Sequence, residues 1–149
     1  MATVKQIVGT RTSLNVTGFS TLASATYVAS DAYNCTTNNP LDVICEVTTA
    51  TTNTPTGNKV VWVFITESLD GTNYRSGPTS GTTTTDESDL KQMGVVALNT
   101  STTSHRATFS VAQALGYVPA YFKLVFKNDL GVALTSASVY TSEISGTVV

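Results

Sequence analysis

Six apolar residues in an unbroken row, Val60-Val61-Trp62-Val63-Phe64-Ile65, stand between turn-forming segments on either side. A β-branched and aromatic run of that length, bounded by turns, is a strand buried on both faces or the central strand of a sandwich. Trp62 is then expected as a core anchor. Upstream, Leu41, Val43, Cys45 and Val47 alternate with Asp42, Glu46 and Thr48, and only Ile44 breaks the polar face. That is the period-2 pattern of a half-buried strand.

The same vocabulary continues along the chain. Residues 90–98 and 104–111 alternate again through Met93, Val95, Ala97, Ala107, Phe109 and Val111. Residues 121–127 form a further strand, Asn128-Asp129-Leu130-Gly131 a turn, and a final strand pair is expected from Val132 to Ile144. Residues 110–115 fit either a strand end or one helical turn closed by Gly116. Asp70-Gly71 supplies a tight turn, and residues 77–85, with four consecutive threonines, read as flexible.

Composition agrees. The chain of 149 residues carries 28 threonines and 15 serines, residue types that favour pleated sheet and disfavour helix interiors. About eight strands separated by Gly, Pro, Asn and Asp turns are the pattern of an all-β, antiparallel two-sheet sandwich or jelly roll. Its inner faces are expected from Val43, Cys45, Trp62, Phe64, Phe109, Phe122, Leu124 and Phe126. The weakly patterned start gives the division of the chain: residues 1–30 as an extended N-terminal arm with short strands near 3–8 and 22–28, and residues 31–149 as the β-sandwich domain.

Charge limits the partners. Only 12% of residues are charged, against a usual share of roughly 25%, and the net charge is −2. Such a surface repels itself weakly and suits a protein packed into an assembly. The eight basic residues are scattered singly, so nucleic acid is not an expected partner. Residues 1–11 lack the basic start and apolar stretch of a signal peptide, and no apolar run reaches about 18 residues, so neither export by that route nor a membrane span is expected.

A search for chemistry finds no constellation, and no enzyme, cofactor or metal is expected. The single histidine, His105, has no nucleophile-elbow motif to serve and is expected at the surface. Cys35 in a loop and Cys45 in a strand lack zinc partners and are expected as free thiols. Asp70-Gly71-Thr72-Asn73 lacks the spaced acids and distal glutamate of a calcium loop. Asp86, Glu87 and Asp89, the one acidic cluster, are expected to keep a loop solvated. The acceptor triplets at Asn15, Asn34 and Asn99 are chance matches in a threonine-rich chain.

Three stretches together carry a family likeness: Asn39-Pro40-Leu41-Asp42-Val43; Val60 to Phe64 followed by Glu67-Ser68-Leu69-Asp70-Gly71-Thr72-Asn73-Tyr74; and Pro119-Ala120-Tyr121-Phe122-Lys123-Leu124-Val125-Phe126-Lys127-Asn128 with Gly131 after it. Over residues 41–134 the chain resembles virion structural proteins of tailed bacteriophages, in particular head decoration or cement proteins. The resemblance implies a jelly-roll-like sandwich, made in the host cytoplasm, that sits as a homotrimer on the capsid surface. Its partner would be the major capsid protein, gripped by termini or edge strands, and residues 1–19 are the expected gripping element. The alternative is a phage tail or adaptor component, or a receptor-binding module reading glycans through Tyr27, Tyr33, Tyr74 or Tyr117. A glycan hydrolase would need a carboxylate pair such as Asp86 and Asp89 across a cleft.

Overall fold

The computed structural model describes residues 3–148; Met1 and Ala2 of the expected arm and Val149 of the expected sandwich domain lie outside the described residues. Eleven strands form: β1 (Val4–Val8), β2 (Thr12–Leu14), β3 (Tyr27–Ala29), β4 (Tyr33–Asn34), β5 (Asp42–Ala50), β6 (Val60–Ser68), β7 (Ser80–Gly81), β8 (Lys91–Ala97), β9 (His105–Ser110), β10 (Tyr121–Asp129) and β11 (Ser136–Val148). One helical turn, α1 (Val111–Leu115), follows β9. It settles the open choice at residues 110–115: the Ser110 hydroxyl accepts from the Gln113 N–H at 2.9 Å, and Gly116 ends the turn at φ 82°.

Every strand pairing is antiparallel. One sheet runs β1–β11–β5–β9, with β2 following β1 along the same edge of β11. The other runs β7–β3–β10–β6–β8, with β4 beside β3 along β10. With β1/β2 and β3/β4 each taken as one interrupted strand, and the two-residue β7 set aside, eight strands remain. The first then pairs with the last, the second with the seventh, the third with the sixth and the fourth with the fifth. This is a long antiparallel hairpin rolled into two facing sheets, the jelly roll.

The core lies between the sheets. Val43, Cys45 and Val47 of β5, Val139 of β11, and Phe122, Leu124 and Phe126 of β10 meet there. Two of the expected inner-face residues lie elsewhere. In β6 the inward positions are Val61, Val63 and Ile65, and Trp62 and Phe64 point outward. A run that is apolar at every position carries no parity, so its larger side chains do not reveal which face they take. The run is nevertheless covered on both faces, because Tyr27, Phe64, Leu90 and Val125 form a second cluster on the outer side of this sheet. Phe109 sits partly buried at the open rim between β9 and β8. It fills the space over Gly94, where a Cβ would come within 2.7 Å of the Phe109 ring.

The second cluster is closed by residues 77–90, of which 77–85 read as flexible from the sequence alone. They cross the sheet as a strap: β7 pairs with β3, Leu90 is buried, and Lys127 Nζ meets Glu87 Oε2 at 2.6 Å.

The described part of residues 1–30, expected as an extended arm with short strands, packs with the sandwich. Strands β1 and β2 extend the first sheet, Leu14, Phe19 and Leu22 are core residues, and the Phe19 ring stacks on Phe126 at 4.1 Å. Phe19 enters from a 3-10 turn after left-handed Gly18, so its burial has no periodic signal. The short strand expected near 22–28 is Tyr27–Ala29. Finally, the expected closing strand pair is one strand of 13 residues, β11, preceded by a turn that buries Leu130 and Leu134.

Candidate interaction surface

The residues weighed for chemistry are dispersed. His105 opens β9, with Nε2 3.3 Å from the Thr100 hydroxyl. Asp70 is consumed by its own turn: it accepts from the backbone N–H groups of Asn73 and Thr72 at 2.8 Å each, from the Asn73 amide at 2.7 Å and from the Ser68 hydroxyl at 2.9 Å. Those donors, the Asn73 N–H first, hold its carboxyl well below the usual carboxylate range. Glu87 is paired with Lys127, as described. Among the described residues no group of three or more His, Cys, Asp and Glu could hold a metal ion, and no helix is long and apolar enough to cross a membrane.

Both cysteines are free and buried. Burial, with the negative charge of Glu143 adding to it, pushes the Cys35 thiol up to about 11. Burial pushes Cys45 up further, with Asp42 and Cys35 contributing. Of the tyrosines Tyr27, Tyr33, Tyr74 and Tyr117, only Tyr117 is largely exposed. Tyr27 lies in the outer cluster, Tyr33 stacks on Phe122 at 5.0 Å, and Lys123 covers the Tyr74 ring at 4.5 Å. Tyr117 stands near the largely exposed Leu69, beside a cavity of 460 Å³ bounded also by Asp70, Asn73 and Pro119.

The exposed apolar residues concentrate at one place, which no periodicity marks. Strand β5 accompanies β11 only as far as the Asp42–Ile144 pair, so beyond Ile144 the last residues of β11 have β1 as their sole strand partner among the described residues. The result is a two-stranded ribbon extending past the sandwich, in which all five β1 residues are exposed. In register, Val4 stands opposite Val148, Gln6 opposite Gly146 and Val8 opposite Ile144, so these six share one face. Leu41 lies on that face because Gly146 has no side chain: a Cβ there would stand 3.3 Å from Leu41 Cδ1 and 3.4 Å from Val4 Cγ1.

Exposure on this face is 68% for Val4, 68% for Val8, 63% for Leu41 and 68% for Val148. The outer edge of β1 has no partner strand among the described residues. An apolar face beside an unpaired row of N–H and C=O groups offers two kinds of contact at once, burial and strand addition. Only the outer half of this feature was open to sequence reasoning, as a short strand near 3–8; the pairing with the far end of the chain carried no local signal. No family model and no curated protein matches this chain.

Proposed function

We propose that this protein is a head decoration protein of a tailed bacteriophage, which works by binding and not by catalysis. It adds as a homotrimer to the outer surface of the capsid and holds the major capsid protein through the β1–β11 ribbon. The exposed ribbon carries the proposal, because a free strand edge flanked by Val4, Val8, Leu41 and Val148 is costly to leave in water and rewarding to cover. The jelly-roll order, the low charge of 12% and the likeness over residues 41–134 support it. Repetition supplies the strength: many modest contacts across capsomer boundaries, fixed by symmetry, oppose the outward pressure of packaged DNA.

The test is co-sedimentation with expanded, DNA-free heads. The wild-type protein is expected to bind in hundreds of copies per head and to sediment alone as a trimer, whereas Val8→Glu should fold normally and fail to bind. Retained binding by Val8→Glu would remove the ribbon from the interface. A monomer that does not add to heads would sink the decoration reading. The second reading, a tail or receptor-binding component, draws on the cavity beside Tyr117 and Leu69, where an exposed ring adjoins polar groups. It predicts a few copies per virion and glycan binding that Tyr117→Ala abolishes.

A further inference from the structure

Among the described residues, Glu143 is the one glutamate without a basic partner. The sequence has four glutamates, and three of them are ion-paired: Glu46 with Arg11 and Arg106, Glu67 with Arg75, and Glu87 with Lys127. Glu143, partly buried on β11, meets only neutral donors: the Tyr33 hydroxyl donates a hydrogen bond to Oε1 at 2.8 Å, and the Asn38 amide donates to Oε2 at 2.8 Å. A carboxylate offers about four lone-pair sites, so roughly two are left open.

A cavity of 260 Å³ is lined by Glu143 together with Gly9, Thr10, Tyr33, Asn38 and Thr141 among others. Its donors and acceptors are hydroxyls, an amide and one negative charge, with no cation among them. Its position follows from the break between β1 and β2. The chain leaves the sheet edge after Val8, Gly9 N–H donates to the Glu143 carbonyl at 2.7 Å, and pairing with β11 resumes at Thr12. The opening therefore lies at the end of the free edge described above, and a strand laid along Val4–Val8 runs toward it.

We infer that this cavity is a receptor for the ammonium group of a lysine carried by the strand that docks on β1. Three ammonium donors match a half-open carboxylate surrounded by hydroxyl oxygens, and a partly buried carboxylate gains more from a cation than an exposed one does. The inference rests on the decoration reading for its partner, the capsid subunit, but the cavity can be tested without that partner.

The probe is n-butylammonium at constant ionic strength, followed through the Asn38 side-chain amide and the Gly9 backbone amide by NMR. A saturable shift is expected in the wild-type protein, with none from n-butanol. Glu143→Gln should weaken it about tenfold or more, the loss expected for one charge-assisted hydrogen bond. Asn38→Asp, which adds a second carboxylate at an exposed position, should strengthen it and carries the test should Glu143→Gln not fold. Glu143→Gln should also weaken head binding about tenfold. No saturable shift, an equal shift with n-butanol or in Glu143→Gln, or undiminished head binding by Glu143→Gln overturns the inference. A wild-type protein that ignores heads is a failure of the decoration reading alone, and the titration still judges the cavity.

Discussion

Asn128 has no solvent exposure, and its side chain ties the turn after β10 to the segment at Leu22 through three hydrogen bonds. It donates to the carbonyls of Leu22 and Val132 at 2.8 Å each and accepts from the Leu130 N–H at 2.9 Å. Truncation to alanine leaves the Leu130 N–H and the Val132 carbonyl without a partner, each costing about 1–3 kcal/mol, whereas the Leu22 carbonyl keeps the Leu134 N–H at 3.0 Å. Asn128→Ala is therefore expected to lower unfolding stability by roughly 2 kcal/mol or more, read from urea titration. Its position in Asn128-Asp129-Leu130-Gly131 marked a turn, but nothing local revealed that the side chain faces inward. The cysteines divide in the same way: Cys45 was legible from alternation with Val43 and Val47, whereas Cys35, among turn residues, gave no hint of burial. Both should resist a thiol reagent until the protein unfolds. Their native thiols hold protons to higher pH than unfolded ones do, so this stability is full below about pH 8.5, the usual thiol value, and declines above it. The decline should continue through the range of Cys35, near pH 11, and Cys35→Ala should flatten it in alkaline unfolding curves.

Strands β1 and β2 share an edge but not an energetic role. Every β1 side chain is exposed, whereas Leu14 ends β2 inside the core and Phe19 follows it against Phe126. Removal of residues through Val8 should leave the melting temperature nearly unchanged while abolishing head binding. Removal through Phe19 should prevent folding, since loss of a buried phenylalanine alone costs about 3–5 kcal/mol. Circular dichroism and thermal melts of the two truncations decide this. The low periodicity of residues 1–30 suggested a separate arm; burial through turns, as at Phe19, leaves no alternation to see. The opposite problem arose at β6. Its uniform run declared a strand covered on both sides but withheld the parity of Trp62 and Phe64, which depends on the strap that crosses the outer face.

At the scale of the molecule, sandwich and antiparallel class were legible because turn residues recur between short β-branched runs. Strand order was not, because the pairs that define it join the most distant parts of the chain: β1 with β11, and β3 with β10. The same remoteness bears on folding, since closing such loops precedes any reward from contact. Refolding is expected on the millisecond-to-second scale, followed by the fluorescence of the single Trp62, whose indole N–H lies 3.3 Å from Asp129. Microsecond recovery would mean that local structure suffices. The ribbon has one more consequence. Val4 and Val148 are directly opposed, so a short glycine-containing turn between residues 3 and 148 would join β1 and β11 as a hairpin. With the chain opened instead at exposed Asn53 and Thr54, the resulting circular permutant is expected to keep the same sheets and to carry a closed tip on the ribbon.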